Sequence, residues 1–313
     1  MGDLHFFLGI EVIRCPNGLF LSQHKYAMDI LERTKMTCSR YIHTPLATKH
    51  ELHDTGGPPV DASEFRSTVG SLQYLTLIRP ELAHAVNLLC QFMQHPCATH
   101  WTGVKRVLRY LAGATQLGLR ITAKSSLNLV GFFDADWGGC PITRRSTTGL
   151  CAFLGSNCVS WASKKQTTVA KSSAEAEYRL LASLAAELRW ITYILSDIGN
   201  SLLSPPLLYT DNIFAMHLTK NHVLHACTKH IELDYHFVRE KVAQGAMVTK
   251  FVPSQLQVAD VFTEPLTKAL FLFFWTKLGV VQLPTSSLRG MMKIQVNILV
   301  TRVNLAATYI GES

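Results

Sequence analysis

From residue 127 onward the chain alternates in a way that few folds accommodate. Apolar, strand-length runs at 127–134, 149–155 and 158–163 follow one another with little but turn residues between them. A long helical pattern then fills 173 to about 195, followed by a strand at 206–210, further helical patterns and a last strand near 247–252. Strands joined by short turns pair antiparallel, whereas strands separated by helices can return parallel. The combination predicts an α/β or α+β layer domain built on a mixed sheet.

Residues 1–126 have a different texture. LHFFLGIEVIR and LFLSQ are strand-like runs on either side of Pro16-Asn17-Gly18, a hairpin signal. KYAMDILERTKM reads as a helix, and the polar stretch 47–62, with Gly-Gly-Pro-Pro at its centre, as a loop. Helical patterns continue to residue 113. In the last of them Val104, Val107, Leu108 and Leu111 form one apolar stripe, with Lys105, Arg106 and Arg109 on other faces. That basic face suits a phosphate backbone or plain solvent. No pattern is legible after about residue 293.

Composition narrows the partners. With 313 residues, 48% of them hydrophobic, the chain can build one large core or two ordinary ones. Its formal charge of +8 favours a polyanion such as nucleic acid. The eight cysteines (Cys15, Cys38, Cys90, Cys97, Cys140, Cys151, Cys158 and Cys227) include no C-x-x-C pair. Without a signal peptide they read as reduced thiols of an intracellular protein, cytoplasmic or nuclear and not secreted. The LFLFFW run at 270–275 is too short to span a bilayer, so no membrane partner is expected.

Four acids stand where acids are unexpected. GFFDADWGGC places Asp134 and Asp136 at the end of an apolar run, and LLYTDN places Asp211 at the end of another. Turn formation at Asp136 or helix capping by Asp211 would be ordinary explanations. In KSSAEAEYRLLASLAAELRW, Ser172 and Glu175 match a capping box. Glu177 has no such excuse, because helical spacing puts it with Leu181, Leu184 and Leu188 on the face that meets the sheet. An ionised Glu there is costly unless it is paired or bound to a metal. Asp260, in VPSQLQVADVFTEPL, stands where a strand and loop give way to a terminal helix. Hard oxygen ligands without a nearby Cys/His pair suit Mg²⁺ or Mn²⁺.

FFDADWGG, TRRSTTGLCAFLG, VSWASKKQTTVAKSSAEAEYRLLA, LYTDN, TKHIELDYHFVREKV and QVADVFTEPL resemble the ribonuclease H domain of copia-type LTR retrotransposon Pol polyproteins. Upstream, LHFFLGIEV, GLFLSQHKYAMDIL, EFRSTVGSLQYLTLIRPELAHAV and VLRYLAG resemble the end of the preceding reverse transcriptase, and SLRG at 287–290 resembles the close of the polyprotein. The resemblance covers roughly residues 1–292. It implies an RNase H-like mixed five-stranded sheet with flanking helices over 127–280. A partial reverse transcriptase of hairpin plus helices precedes it over 1–126, and the polyprotein end with an unmatched tail follows over 281–313. It places the family's catalytic and metal-binding set on Asp134, Glu177, Asp211 and Asp260, with two Mg²⁺ or Mn²⁺ ions cleaving the RNA strand of an RNA–DNA hybrid. Asp134 is taken over Asp136 as the position that the sheet holds last, with Asp136 assigned to the turn before Trp137.

Some features depart from the family. No YVDD-type polymerase motif exists in the chain, so polymerase activity is not expected. Glu264 stands where the family usually has Lys, and VPSQLQVAD lacks the His often found before the last acid. The tail QVNILVTRVNLAATYIGES matches nothing in the family. Residues 1–126 are expected to expose apolar surface suited to association with other Pol fragments. Arg144, Arg145, Lys164, Lys165 and Asn212 are candidates for nucleic-acid contact. His222, His225, His230 and His236 surround Cys227, but their spacing is not that of a tetrahedral site and no zinc is expected. A non-catalytic retroelement remnant that at most binds nucleic acid is the alternative reading.

Overall fold

Two sheets organise the protein, whose structure, a computed structural model, describes residues 5–52, 57–220 and 232–283. The first grows from the hairpin: β1 (Phe6–Phe7), β2 (Ile10–Cys15) and β3 (Gly18–Ser22) pair antiparallel, with Cys15 opposite Gly18 across the Pro16-Asn17 turn. Gly18 has φ 148°, and the Ile121 carbonyl occupies the space that a Cβ would need, so only glycine fits. β4 (Leu117–Thr122) and β10 (Val280–Gln282) complete the order β1-β2-β3-β4-β10. Neither β4 nor β10 is among the strands expected from the sequence. Both are short and are fixed by partners distant in the chain, the Arg120 N–H donating to the Gly279 carbonyl at 2.9 Å.

Four helices follow the hairpin: α1 (His24–Arg33), α2 (Ala62–Leu75), α3 (Ala83–Cys90) and α4 (Ala98–Ala112). Asp61 caps α2 by accepting from the Ser63 N–H at 2.8 Å. In α4 the expected stripe of Val104, Val107, Leu108 and Leu111 is buried, while Lys105 is exposed and Arg106 donates to Thr44 Oγ1 at 3.1 Å.

The second sheet holds β5 (Leu129–Asp136), β6 (Thr147–Leu154), β7 (Asn157–Lys165), β8 (Leu207–Thr210) and β9 (Val248–Phe251) in the order β7-β6-β5-β8-β9. β5, β6 and β7 pair antiparallel, and β5-β8 and β8-β9 pair parallel. This is the mixed five-stranded, RNase H-like α/β class. The connecting helices are α5 (Ser173–Asp197), α6 (Ile213–Lys220) and α7 (Glu232–Ala243), with α8 (Lys268–Lys277) after β9. One expectation needs correction: β5 does not end at Asp134, because pairing continues through Ala135–Thr148 to Asp136–Thr147.

Strand periodicity divides the core. Leu129, Phe133 and Ala135 turn toward α5 and α7, joining Leu181, Leu184, Leu188, Tyr235 and Val238. Cys151 and Phe153 face the other way, into an interior shared with α1 to α4. That same interior takes in Val258, Val261, Phe262, Leu266, Phe271, Phe274, Leu278 and Val280. Residues 258–280 thus pack back on the first half of the chain, and Met1–Val281 forms one compact unit. His222, His225, Cys227, His230, SLRG and the tail lie outside the described residues.

Candidate active site

Asp134, Glu177 and Asp211 converge although 77 residues separate the first from the last. Each offers a carboxylate oxygen, and these oxygens all lie within 4.8 Å of one another. β5 and β8 run parallel side by side, so their carboxyl ends bring Asp134 and Asp211 to the same edge. α5 crosses behind them and presents Glu177, 7% exposed, from the face that also buries Leu181, Leu184 and Leu188. Among the described residues this is the one cluster of three or more His, Cys, Asp or Glu side chains close enough to share an ion.

Among the described residues, the hydrogen-bond partners of these acids are neutral. Thr263 Oγ1 donates to Asp134 Oδ2 at 2.5 Å. Thr210 Oγ1 and Asn212 Nδ2 donate to the two oxygens of Glu177, each at 3.2 Å. Ser254 Oγ donates to Asp211 Oδ2 at 2.7 Å. Hydroxyls and amides orient a carboxylate without neutralising it. Burial accordingly pushes Asp134 up to about 6 and Glu177 up to about 7, and the neighbouring acids add to both shifts. Three carboxylates this close repel one another, and a bound cation relieves that repulsion. An all-oxygen donor set is the kind that Mg²⁺ or Mn²⁺ takes, so the residues present fit the ion that the resemblance implies.

Asp260 is not one of the three clustered acids. It is half-buried on the short turn Val258–Phe262, and its pKa is raised to about 8 by burial first and then by Asp134, Glu264 and Asp211. It therefore faces the cluster from nearby. Glu264 is a fifth acid beside it.

Asp136 shares a strand face with Asp134 but has different surroundings. It is exposed, it lies beside the cationic Arg144, and its carboxylate occupies the space a Cβ on Gly139 would take. Asn212 is the residue that caps α6, its Oδ1 accepting from the Ala215 N–H at 3.0 Å, which leaves Asp211 free for the cluster. Glu175 lies in the first turn of α5: Ser172 Oγ accepts from its N–H at 3.1 Å, and its own carboxylate accepts from the Lys171 N–H and pairs with Arg179.

The nucleic-acid candidates divide as well. Arg144, Arg145 and Lys164 are exposed. Lys165 is half-buried, donating to Gln91 Oε1 and Cys140 Sγ at 2.8 Å each, and both ends of the Asn212 amide are engaged within the protein. Sequence reasoning missed Thr210, Ser254, Gln257 and Thr263. Nothing local distinguishes these polar residues, since their partners arrive from distant elements.

A mixed sheet that gathers three carboxylates at the ends of its central strands and on the helix behind them defines an RNase H-like α/β domain. The chain belongs to the retrovirus-related Pol polyproteins of copia-type retrotransposons. It is 45% identical over 285 residues to the Pol polyprotein from transposon RE2 of Arabidopsis thaliana, a match that covers 91% of this chain and 20% of that protein. It thus spans about a fifth of the length of the Pol polyproteins it matches. An uncharacterized mitochondrial protein of Arabidopsis thaliana is 50% identical over 190 residues, 61% of this chain and 79% of that one. Among solved structures, an RNase H1 isolated from compost is similar over 44% of this chain and 93% of its own, with a TM-score of 0.35 and 15% identity. No protein-family model matches the chain.

Proposed function

We propose that this chain is a metal-dependent ribonuclease H that hydrolyses the RNA strand of an RNA–DNA hybrid. One observation carries the reading: three carboxylates whose oxygens lie within 4.8 Å, oriented among the described residues by neutral donors. Asp134, Glu177 and Asp211 would hold the ions, and Asp260 faces them from the Val258–Phe262 turn as the fourth acid of the set. When bound, two Mg²⁺ or Mn²⁺ ions supply an activated water and charge stabilisation at the leaving oxygen. Thr263, Asn212 and Ser254 keep each carboxylate turned inward. Exposed Arg144 and Arg145, between β5 and β6, and Lys164, near the end of β7, would take the hybrid's phosphates.

Polymerase activity is not part of the proposal, because no YVDD-type motif supplies the carboxylates that nucleotide addition needs. The decisive experiment incubates purified protein with a hybrid carrying end-labelled RNA, with Mg²⁺, with Mn²⁺ and with chelator. Cleavage that requires the ion is expected, with no extension of a primer when deoxynucleotides are added. Hybrid retained by the protein but left intact under both ions would favour the non-catalytic remnant.

A further inference from the structure

Gln257 is fully buried, yet every polar atom of its side chain is used. Its Nε2 donates to the Phe133 carbonyl at 3.0 Å and approaches Asp211 Oδ1 at 3.5 Å; one amide nitrogen carries two hydrogens and can serve both. Its Oε1 accepts from the Ala259 N–H at 3.3 Å, and its own carbonyl accepts from the Asp260 N–H, also at 3.3 Å. These contacts fall at an informative place. The β5–β8 ladder pairs Val130–Leu207, Gly131–Leu208 and Phe132–Tyr209, and goes no further. Asp134 and Asp211 stand immediately beyond that end, where no backbone bond between the two strands fixes their separation. The Gln257 amide occupies the next position of the ladder, bonded to the residue before Asp134, facing Asp211, and capping the turn that carries Asp260.

We propose that Gln257 is a positioning residue that replaces the missing ladder bond and thereby sets the spacing of three carboxylates toward the metal ions. The proposal rests on the metal-dependent reading above. Groups that orient metal ligands from behind typically change affinity or activity about 10- to 100-fold when removed. Gln257→Met keeps the length and removes the amide. Gln257→Asn keeps the amide and shortens its reach by one methylene.

The test titrates Mn²⁺ into the full chain and reads the free ion by electron paramagnetic resonance. Both variants should bind Mn²⁺ about tenfold or more weakly than wild type. Their kcat on the hybrid should fall in step while KM for the hybrid holds, with the metal-free melting temperature close to wild type. A folded variant with wild-type Mn²⁺ affinity overturns the proposal. Should neither variant fold, the wild-type protein still decides: the Gln257 side-chain amide signals must shift when Mg²⁺ is added, and signals that stay put overturn it. Wild-type protein that binds no Mn²⁺ would instead remove the metal-dependent reading itself, a result distinct from failure of Gln257 alone.

Discussion

Asp134 and Asp136 are separated by their neighbours, since strand pairing carries through both of them. Asp134 is half-buried in the cluster with a threonine hydroxyl at 2.5 Å, whereas Asp136 is exposed outside it, near Arg144 and Glu264. An exposed carboxylate outside the cluster has little to offer an ion bound within it. Initial rates on a labelled hybrid should therefore fall more than about 100-fold in Asp134→Asn and stay within about threefold in Asp136→Asn. The two glutamates of α5 divide in the same way. Glu177→Gln should lose a similar factor while melting no lower than wild type in chelator, because it deletes a buried, unneutralised charge. Glu175→Gln should keep its rate, since an amide oxygen can still accept from the Lys171 N–H. Comparable losses from both glutamates would mean that the roles assigned to the two faces of α5 are wrong.

Elements were readable in the sequence where periodicity reports burial, and unreadable where long-range pairing decides. The long helix was visible from Leu181, Leu184 and Leu188, and Glu177 stood out because it broke that stripe. β4 and β10 were not visible: the segment 114–126 and the three residues of β10 have no local pattern strong enough to compete with their partners' pull. The donors around the acids were hidden for the same reason, Thr263 lying 129 residues from Asp134. Gly149 shows how closely these elements fit. It pairs directly with Asp134 across β5–β6, and a Cβ there would stand 2.7 Å from Phe262 Cβ and 2.8 Å from the Ala259 carbonyl. A strand glycine often marks such a close approach of another backbone. Gly149→Ala should push the Val258–Phe262 turn off the sheet, costing about 1–3 kcal/mol and lowering kcat about tenfold as Thr263 and Asp260 withdraw. Gly131→Ala is the control: its Cβ would press on the Leu184 side chain at 2.8 Å, on the opposite face. It should lower the melting temperature and leave kcat nearly unchanged.

At the scale of the whole molecule, the acids and the N-terminal helices belong to one mechanical system. Val258, Val261 and Phe262, which flank Asp260, are buried among residues of α1 to α4, while Asp134 and Glu177 stand on β5 and α5 and Asp211 directly follows β8. Tyr110 meets Phe271 edge-on, with ring centroids 5.7 Å apart, and β10 closes the first sheet. A shared interior of this kind should unfold in a single calorimetric transition in place of early loss of residues 1–126. The same transition should report the charge cluster. Burial, reinforced by mutual repulsion, raises Asp134 to about 6, Glu177 to about 7 and Asp260 to about 8 in the folded protein, so the fold holds protons that the unfolded chain has already released. Stability falls with rising pH wherever the folded state binds more protons. Without metal, the melting temperature should therefore decline by several degrees between pH 5 and 8, the window between ordinary carboxylates and these raised ones. Mg²⁺ needs the ionised forms and binds only the folded cluster, so adding it at pH 8 should recover the loss, and adding it at pH 5 should do little. A metal-free melting temperature that rises from pH 5 to 8, or one that Mg²⁺ leaves unmoved at pH 8, would contradict both the clustering of the acids and their proposed purpose.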